Sequence, residues 1–315
     1  MIPQPRFDVL AMGELNADLI ITGLREAPAL NREIIAGSFR KTLGSSTALC
    51  AANIAKMGLK VGFCGKVGND EDGHFVLREL QARHVDTSFC KIDPFSETGI
   101  TLGLNWGGDR ALVTVLGATS TFSAADFDPT VLKTAGHIHV GSFFLQAALR
   151  RDLPGIFKTA RGLGLTTSLD AGWDDTGTWD FGIRDLLPHT DVFFPSETEA
   201  LNVTGKSSAE EAAAELAGLC RIAVIKRGSL GAYCVSNGRV WQTASYDDVP
   251  VVDTTGAGDS FNAGFIYGFV RGLPPERCLE YGNACGNICV GVTGGANADL
   301  GIDNVEAIMR AHGRL

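Results

Sequence analysis

Residues 253–265 read DTTGAGDSFNAGF, a glycine-rich turn that runs into an apolar helical pattern. Gly256 and Gly258 allow a tight turn, and because glycine has no Cβ they leave backbone amides open to a ligand. The first turn of the following helix adds unpaired N–H groups and the positive end of a helix dipole, so the stretch predicts an anion site. Asp259 would repel an anion, which points to a role in the chemistry, most simply removal of a proton from an attacking hydroxyl.

The composition is that of a globular protein without a polyanionic partner. Of the 315 residues, 45% are hydrophobic and 20% are charged, and the net charge of −9 argues against nucleic acid, whose binding depends on Lys and Arg. The amino end lacks the uninterrupted apolar core of a signal peptide, and no apolar run is long enough to span a bilayer. We therefore expect a cytoplasmic protein that binds neither nucleic acid nor a membrane.

The spacing of cysteine and histidine favours packing over metal binding. Eight cysteines, scattered between Cys50 and Cys289, include no C-x-x-C pair, which is typical of buried free thiols. His137 and His139 share one face of a predicted strand, but no third ligand accompanies them, so strand packing is the favoured interpretation.

Short apolar runs alternate with helical patterns along the chain. The strand candidates are FDVLAMG, KVGFCGK, HIHVGSF, LGLTTSLDA, DVFFPS and IAVIKRG, which begin at residues 7, 60, 137, 163, 191 and 222. The helix candidates are residues 46–57, 71–83, 152–163, 208–218, 257–271 and 274–290. This alternation predicts one α/β domain over residues 1–315, a three-layer sandwich with a mainly parallel central sheet between helices. In such sheets ligands bind beyond the carboxyl ends of the strands.

Two segments, residues 19–42 and 88–117, contain no good helix. Residues 98–117, TGITLGLNWGGDRALVTVLG, are typical of two strands joined by a turn at WGGDR, residues 106–110. We expect the two segments to form a small β-rich lid. Because an exposed sheet edge or face invites a partner, a homodimer through the lid is also expected.

The common nucleotide-binding motifs are missing, since neither G-x-x-x-x-G-K-[ST] nor a G-x-G-x-x-G after the first strand occurs. Residues 253–265 instead resemble the C-terminal signature of the ribokinase-like carbohydrate kinases, the phosphofructokinase B-type family. The resemblance implies that Asp259 is the catalytic base, and that Gly256, Ala257 and Gly258 supply amides for the charge on the transferred phosphoryl group. It also implies ATP and Mg²⁺ as cofactors and a small sugar as substrate, which suits the need of phosphoryl transfer for positioning and charge stabilisation.

The amino end carries a second match. The segment GELNADLI resembles the family's first strand, in which an Asn and an Asp at this spacing hold sugar hydroxyls. The resemblance assigns these roles to Asn16 and Asp18, which point to the same side if the strand continues. The alternative is a turn that leaves the strand, since Asn and Asp are common in turns.

The segment LGSSTALCAANIAKMG stands where the family has a Gly-Gly pair and an Asn that line the sugar pocket. Gly44 matches the first glycine, Ser45 replaces the second, and Leu49 takes the place of the Asn. We therefore expect one polar contact to the substrate to be lost, and a substrate that is less hydroxylated than ribose or oriented differently. The alternative is that Ser45 or Ser46 caps the helix.

Metal roles follow from two further matches. The segment FPSETEA resembles the N-x-x-E segment that orders magnesium and its waters, with Glu199 as the acid and Ser196 in place of the Asn. Acids here could equally be first-turn residues favoured by the helix dipole. Asp253 and Thr255 match positions whose carbonyl groups help to bind a monovalent cation in the family, often potassium.

The segment DAGWDD stands where many members have D-x-N-x-R. Asp170 is retained, but Gly172 and Asp174 replace the Asn and the Arg, which disfavours the acidic sugar 2-keto-3-deoxygluconate. Arg110, in the expected lid turn, either adds a positive charge near the site or faces solvent.

On the nucleotide side, the segments IKRGSLGA and YGNACGNICVGVTGG resemble the family's ATP-binding segments. The resemblance places Lys226, Gly228 and Gly231 near the nucleotide and Asn283 near the adenine. A nucleoside kinase of the same fold is an alternative, with aromatic residues for the base at Trp106, Phe143 and Phe144. A non-catalytic sugar or nucleotide sensor is a second alternative, although the complete 253–265 stretch argues against it.

Overall fold

The computed structural model describes residues 5–106, 109–246 and 249–315. Within them the strands are β1 (Phe7–Gly13), β2 (Asn16–Leu24), β3 (Ser38–Leu43), β4 (Val61–Gly68), β5 (Val85–Asp93), β6 (Gly99–Trp106), β7 (Asp109–Val115), β8 (Ala135–Val140), β9 (Thr166–Leu169), β10 (Val192–Phe193), β11 (Ile222–Lys226), β12 (Ala232–Ser236) and β13 (Arg239–Thr243). The α-helices are α1 (Ser46–Lys56), α2 (Glu71–Ala82), α3 (Leu153–Gly162), α4 (Ile183–Leu186), α5 (Glu197–Thr204), α6 (Ala209–Leu216), α7 (Ala257–Val270), α8 (Pro275–Val290) and α9 (Ile302–Ala311).

A large, mainly parallel sheet forms the centre of the fold. Its strand order is β13-β12-β11-β10-β9-β8-β1-β4-β5, and the pairs are parallel from β11 to β5, whereas β12 and β13 join in antiparallel pairs. Strand β1 lies inside this sheet. The next strand of the sheet along the chain, β4, pairs with one edge of β1, and β8, which follows later, pairs with the other edge. The prediction of a mainly parallel central sheet is confirmed.

Helices cover both faces of this sheet. Successive side chains of a strand point to opposite faces, and in β1 Val9 and Ala11 belong to one hydrophobic cluster while Leu10 and Met12 belong to another. The first cluster contains buried residues of α1, α7 and α8, and the second contains buried residues of α3 and α6. The predicted three-layer arrangement is therefore confirmed.

A second, smaller sheet has the strand order β3-β2-β6-β7. The chain leaves the large sheet at Gly13 and enters the smaller one at Asn16, so Asn16 and Asp18 lie in β2 rather than in a continuation of the first strand. The second predicted lid segment begins too early at residue 88, because residues 88–93 lie in β5 at the edge of the large sheet. The glycines of the expected turn, residues 107 and 108, lie outside the described residues.

The six predicted helices begin and end within two residues of α1, α2, α3, α6, α7 and α8. The hairpin of β12 and β13 was missed, although its turn contains Asn237 and Gly238, which both have positive φ angles (50° and 71°). Asn-Gly is the dipeptide that favours such tight hairpin turns. The short helix α4 and the last helix α9 were missed, and only the start of α5 was considered, as the alternative interpretation of Glu199.

The eight cysteines are free thiols, and all but Cys90 are buried. His137 and His139 are buried and share the Ser168 hydroxyl, with N–O distances of 2.8 Å. Burial lowers the pKa of His137 to about 3 and that of His139 to about 4, which holds both rings neutral. In the part of the chain that the structure describes, no helix is long and apolar enough to cross a membrane.

Candidate active site

A cavity of about 490 Å³ lies between the carboxyl ends of the parallel strands and the inner face of the smaller sheet. Glu14, Asp170 and Lys226 reach it from the ends of β1, β9 and β11. The smaller sheet contributes Asn16, Asp18, Thr101 and Arg110, and the start of α7 contributes Gly256, Gly258 and Asp259. The predicted acceptor residues Asn16, Asp18 and Ser45 therefore line one cavity with the predicted base, and Gly44 packs beside Asp18.

A larger cavity, of about 920 Å³, opens at the amino ends of the strands, where Gly136, Thr166 and Ile222 contribute to its wall. Its described wall includes Phe265 from the end of the 253–265 stretch, but none of the predicted catalytic, acceptor, nucleotide or metal residues. Because ligands of parallel α/β sheets bind at the carboxyl ends of the strands, the smaller cavity is the candidate active site.

The turn before α7 has features that favour anion binding. Gly256 has a φ of 75°, and a Cβ there would lie 2.6 Å from Gly295 Cα, so the position requires glycine. The amides of Gly258 and Asp259 have no backbone acceptor among the described residues. Unpaired amides at the start of a 14-residue helix favour negative charge.

Asp259 lies in the first turn of α7 and faces the cavity. Its Oδ1 accepts a hydrogen bond from the Ser46 hydroxyl at 2.5 Å. Burial and the nearby charge of Asp170 raise the pKa of Asp259 to about 7, although the Ser46 hydrogen bond and Lys226 act in the opposite direction. A carboxylate with this pKa can accept a proton near neutral pH.

Lys226 and Asp170 form an ion pair on the floor of the cavity. Lys226 Nζ lies 2.5 Å from Asp170 Oδ2, and Asn262 Nδ2 donates to the same oxygen at 2.8 Å. Burial alone would lower the pKa of Lys226, but Asp170 and Glu199 raise it above its usual value. Burial would likewise raise the pKa of Asp170, which the Lys226 ammonium holds below its usual range.

Glu199 has a structural role and also lines the cavity. The Ser196 hydroxyl accepts from the Glu199 amide at 3.3 Å, and Glu199 Oε2 accepts from the Ser196 amide at 2.8 Å, which is a capping box at the start of α5. Burial and the neighbouring Asp170 raise the pKa of Glu199 to about 7, against the effect of Lys226. The helix-start interpretation of Glu199 is confirmed, and its magnesium role stays a prediction.

Asn16 and Asp18 are joined to each other and to the smaller sheet. Asn16 Nδ2 donates to Asp18 Oδ1 and to Thr101 Oγ1, each at 2.9 Å. A Cβ on Gly44 would overlap the Asp18 carboxylate and lie 2.6 Å from Asn16 Nδ2, so only glycine fits beside the pair. Burial and the charge of Asp259 raise the pKa of Asp18 to about 7.

Ser45 caps α1. Its hydroxyl accepts from the Ala48 amide at 3.2 Å and donates to the Glu14 carbonyl oxygen at 2.5 Å. Its φ of 70° lies in the region that favours glycine, the residue that the family has at this position. Leu49 lines the cavity where the family's Asn would stand, so this part of the wall is apolar.

Arg110 connects the smaller sheet to the turn before α7. Its Nη1 donates to Thr255 Oγ1 at 2.7 Å and lies 3.9 Å from Asp253 Oδ1. Asp253 accepts in turn from the Thr255 amide at 2.9 Å and from the Gly294 amide at 3.0 Å. Of the two interpretations of Arg110, the structure shows the one that puts its charge at the site.

The predicted nucleotide residues divide into two groups. Lys226 and Gly228 line the cavity, whereas Gly231 and Asn283 lie outside it. Gly231 has a φ of 86° beside the Thr243 carbonyl, and Asn283 Nδ2 donates to Thr243 Oγ1 at 2.6 Å. Both residues fix the end of β13 in this structure, and their nucleotide roles stay predictions.

The segment after β9 holds an aromatic side chain at the cavity wall. Trp173 lines the cavity with 57% of its surface exposed, and its ring centroid lies 5.1 Å from that of Trp179 in an edge-to-face contact. Asp174, in place of the family's Arg, accepts from the Thr176 amide at 3.0 Å and from the Trp179 amide at 2.6 Å. Asp174 therefore holds this loop in shape and does not offer a positive charge to a substrate.

Sequence reasoning missed several side chains of the cavity, among them Glu14, Thr101 and Trp173. Glu14 is buried, and its Oε1 accepts from the Thr47 amide at 3.1 Å while its Oε2 accepts from Gln146 Nε2 at 3.1 Å. An acid directly after an apolar strand was the available signal for Glu14. Thr101 comes beside Asp18 only because β6 pairs with β2, and no local pattern reveals that long-range pairing.

Comparisons with known proteins agree with this geometry. Residues 6–300 match the family model described as pfkB family carbohydrate kinase. The chain is 31% identical over 295 residues to an ATP-dependent ribose-1-phosphate kinase of Halopiger xanaduensis, covering 92% of this chain and 94% of that protein. It is also 31% identical over 269 residues to a 2-dehydro-3-deoxygluconokinase of Bacillus subtilis, covering 82% and 83%.

Solved structures share the fold. An adenosine kinase from Sinorhizobium meliloti superposes with a TM-score of 0.84 at 22% identity, covering 96% of this chain and 99% of that one. A ribokinase II from E. coli, described as putative and in complex with ATP and Mg²⁺, has a TM-score of 0.85 at 24% identity, covering 97% and 100%.

Proposed function

Because the chain belongs to the pfkB family of carbohydrate kinases, we propose that it transfers the γ-phosphate of MgATP to a hydroxyl of a small, uncharged sugar or sugar-like acceptor. The chain is a phosphotransferase with an alcohol group as acceptor, as its relatives are. The observation that carries the finer proposal is that Asp259, the unpaired amides of α7 and the Asn16–Asp18 pair line one cavity.

In the proposed reaction Asn16 and Asp18 bind hydroxyls of the acceptor and orient it towards the start of α7. Asp259 takes the proton of the reacting hydroxyl as its oxygen attacks the γ-phosphorus, and the bond from that phosphorus to the β,γ-bridging oxygen breaks to release ADP. The amides of Gly256, Ala257 and Gly258 stabilise the charge on the transferred group, although the Ala257 amide also donates to the Thr254 carbonyl at 3.3 Å. A positioned base alone contributes on the order of 10² to 10⁴ in rate.

The cavity residues suit a metal ion that binds together with a phosphate ligand better than a metal ion held by protein side chains alone. Among the described residues, no group of three or more His, Cys, Asp or Glu side chains could hold an ion. Mg²⁺ commonly binds through one or two carboxylates and substrate phosphates, and the proposal assigns this role to Glu199. When bound, the metal would neutralise part of the negative charge of the phosphates. We also propose that main-chain oxygens of Asp253 and Thr255 help to bind potassium.

The charges of the cavity support an uncharged acceptor. Its described wall contains five carboxylate residues and two cationic ones, and both cations have acidic or hydroxyl neighbours. The carboxylates are Glu14, Asp18, Asp170, Glu199 and Asp259. A sugar phosphate or sugar acid would have to compete for Arg110 against Thr255 and approach Asp18 and Asp259, which would repel it.

One observation favours a second candidate, a nucleoside kinase. Three aromatic residues were expected to hold a base. Phe143 and Phe144 are only 1% and 4% exposed and pack in the core, and Trp106 lines a different cavity. Trp173 is the aromatic side chain that the cavity does present, and an indole can stack on a nucleobase or on the apolar face of a sugar. The two candidates differ in the acceptor and share the phosphoryl transfer step.

The test is ADP release with MgATP, with and without potassium, across neutral pentoses and hexoses, ribose 1-phosphate, 2-keto-3-deoxygluconate and nucleosides. The proposal expects the highest kcat/KM with a neutral sugar. A preference for the phosphate or the acid would contradict the uncharged acceptor, and a nucleoside preference would establish the second candidate. Tight sugar binding without ADP or product would support the non-catalytic sensor.

We further propose that the protein forms a homodimer through the outer face of the smaller sheet. Asp18, Thr101 and Thr114 pair across β2, β6 and β7 on the cavity side, so their neighbours Leu19, Leu102 and Val113 face outwards. Phe39 and Val113 are 63% and 57% exposed. An apolar sheet face of this kind is most simply covered by the same face of a second copy.

A further inference from the structure

The hydrogen bond between Ser46 and Asp259 joins two helix starts that are 213 residues apart in sequence. Ser46 is the first residue of α1, and Asp259 lies in the first turn of α7. Both side chains line the cavity, and the O–O distance of 2.5 Å is short, as is common when a hydroxyl donates to a carboxylate. The contact is therefore not a local cap of either helix.

Three consecutive hydroxyl residues begin α1, and each has a different partner. Ser45 accepts from the Ala48 amide and caps the helix. Thr47 donates to Glu14 Oε2 at 2.5 Å. Only Ser46 donates to Asp259, so capping does not explain why a hydroxyl stands at position 46.

We infer that Ser46 is a positioning residue for phosphoryl transfer, whose hydroxyl holds Asp259 Oδ1 and leaves Oδ2 to accept the proton of the acceptor hydroxyl. The inference rests on the proposed function, in which Asp259 is the base. A carboxylate on an aspartate has a broad torsional preference, so a fixed partner for one oxygen sets the direction of the other. Orientation of this kind contributes to rate without contributing to substrate binding.

The same contact favours the ionised form of the base. Burial and the charge of Asp170 raise the pKa of Asp259, and the Ser46 hydrogen bond lowers it because it is made to the charged form. The titratable groups that influence Asp259 or are influenced by it are Asp170, Lys226, Glu14, Asp18, Cys50 and Cys289. These groups are unchanged when Ser46 is replaced, so loss of the hydroxyl raises the pKa of Asp259 and lowers the ionised fraction at pH 7.

The first experiment measures the pKa of Asp259 directly. The carboxyl carbons of aspartate are labelled with ¹³C, the Asp259 signal is assigned by its loss in Asp259→Asn, and its shift is followed from pH 4 to pH 9. We expect a pKa near neutrality in the wild type and a value higher by roughly one unit in Ser46→Ala. An unchanged titration would overturn the inference, and the measurement needs no knowledge of the acceptor.

The second experiment measures kcat and KM against pH with the best acceptor of the panel. Ser46→Ala should lose on the order of tenfold in kcat at pH 7 with little change in acceptor KM, and its acid limb should move to higher pH. Ser46→Thr, which keeps the hydroxyl, should restore both. A kcat of Ser46→Ala within twofold of the wild type, with the same acid limb, would contradict the inference.

Two controls separate the causes of failure. Lys56→Ala removes the contacts that the last turn of the same helix makes with the Ala296 and Ala298 carbonyls, outside the cavity, so it should lower Tm without moving the acid limb. An identical shift in Lys56→Ala would show that disturbance of α1, and not the loss of the Ser46 contact, moves the titration. If Asp259→Asn keeps near-normal turnover, the proposed function fails; if it is inactive while Ser46→Ala behaves as wild type, only the inference fails.

Discussion

Arg110 in β7 donates a hydrogen bond to the Thr255 hydroxyl, immediately before the amides of α7, at 2.7 Å. The smaller sheet is thereby attached to the turn that is expected to hold the phosphoryl group. The contact also brings Arg110 within 3.9 Å of the buried Asp253 carboxylate. We therefore regard Arg110 as the contact by which the smaller sheet closes the cavity.

Replacement of Arg110 by alanine should weaken closure. We expect acceptor KM to rise on the order of tenfold and ATP hydrolysis without acceptor to increase relative to transfer, because water enters an open site. Steady-state kinetics with and without acceptor measures both effects. Arg40→Ala, at an exposed position of β3 in the same sheet, is the matched control, and an equal effect of the two changes would contradict this role.

Gly44→Ala should damage acceptor binding selectively. A Cβ at this position overlaps the Asp18 carboxylate, so the Asn16–Asp18 pair has to move. We expect kcat/KM for the acceptor to fall by on the order of 10² while the Kd for ATP, measured by calorimetry, stays within about threefold. Gly155→Ala is the control, since a Cβ there meets nothing within 4 Å in α3. Loss of ATP binding in Gly44→Ala would show a collapse of the whole site instead.

Glu199→Gln separates the two roles of Glu199. Glutamine can replace glutamate in a capping box, so α5 should remain and Tm should change little. If Glu199 acts on magnesium, the Mg²⁺ concentration for half-maximal activity should rise several-fold, because the carboxylate charge is lost. Glu197→Gln, which removes a first-turn acid of the same helix, serves as the control. An unchanged Mg²⁺ dependence together with an unchanged Tm would leave Glu199 with the capping role alone.

Asp259→Asn should stabilise the protein while it removes activity. The pKa of Asp259 is about 7 in the folded state and its ordinary value is 3.8, so ionisation between these values occurs only in the unfolded chain and stability falls as pH rises through this window. The neutral variant avoids that loss. At pH 8 we expect the Tm of the variant to exceed that of the wild type by about 2–4 °C for each kcal/mol of unfolding free energy that the wild type has lost. Near pH 4 we expect the two Tm values to agree. A lower Tm at pH 8 would contradict the raised pKa.

The outer face of the smaller sheet gives a prediction about assembly. Val113→Glu places a charge on the apolar face, opposite the side that lines the cavity. We expect light scattering to detect a dimer for the wild type and a monomer for the variant, because a buried charge without a partner is costly. A wild-type monomer at all working concentrations would refute the dimer.

The strongest local patterns predicted their elements correctly. The apolar runs of β1, β4 and β8 and the six predicted helices have periodicity that their own residues specify. The strand β5, by contrast, reads VDTSFCKID, and at the edge of the sheet only its first residue, Val85, is buried. The sequence therefore lacks a clear strand pattern here, and the lid boundary was placed too early.

The site residues likewise divide into those that a local motif predicts and those that only tertiary packing brings together. The turn at Gly256 and the base at Asp259 are contiguous in sequence, so a motif could reveal them. Ser46 meets Asp259, and Thr101 meets Asn16, only because distant segments pack together. Contacts of this kind depend on tertiary structure and leave no local spacing to detect.

The most direct test of the account is phosphoryl transfer by the wild type and Asp259→Asn under identical conditions. Both proteins would be saturated with MgATP and the best acceptor of the panel, with ATP binding verified by calorimetry and the phosphorylated acceptor followed by ³¹P NMR. The account predicts a phosphorylated hydroxyl with the wild type and a loss of at least about 10²-fold in its rate of formation with the variant. Near-normal product formation by Asp259→Asn would contradict the account, because the proton would then be removed by another group.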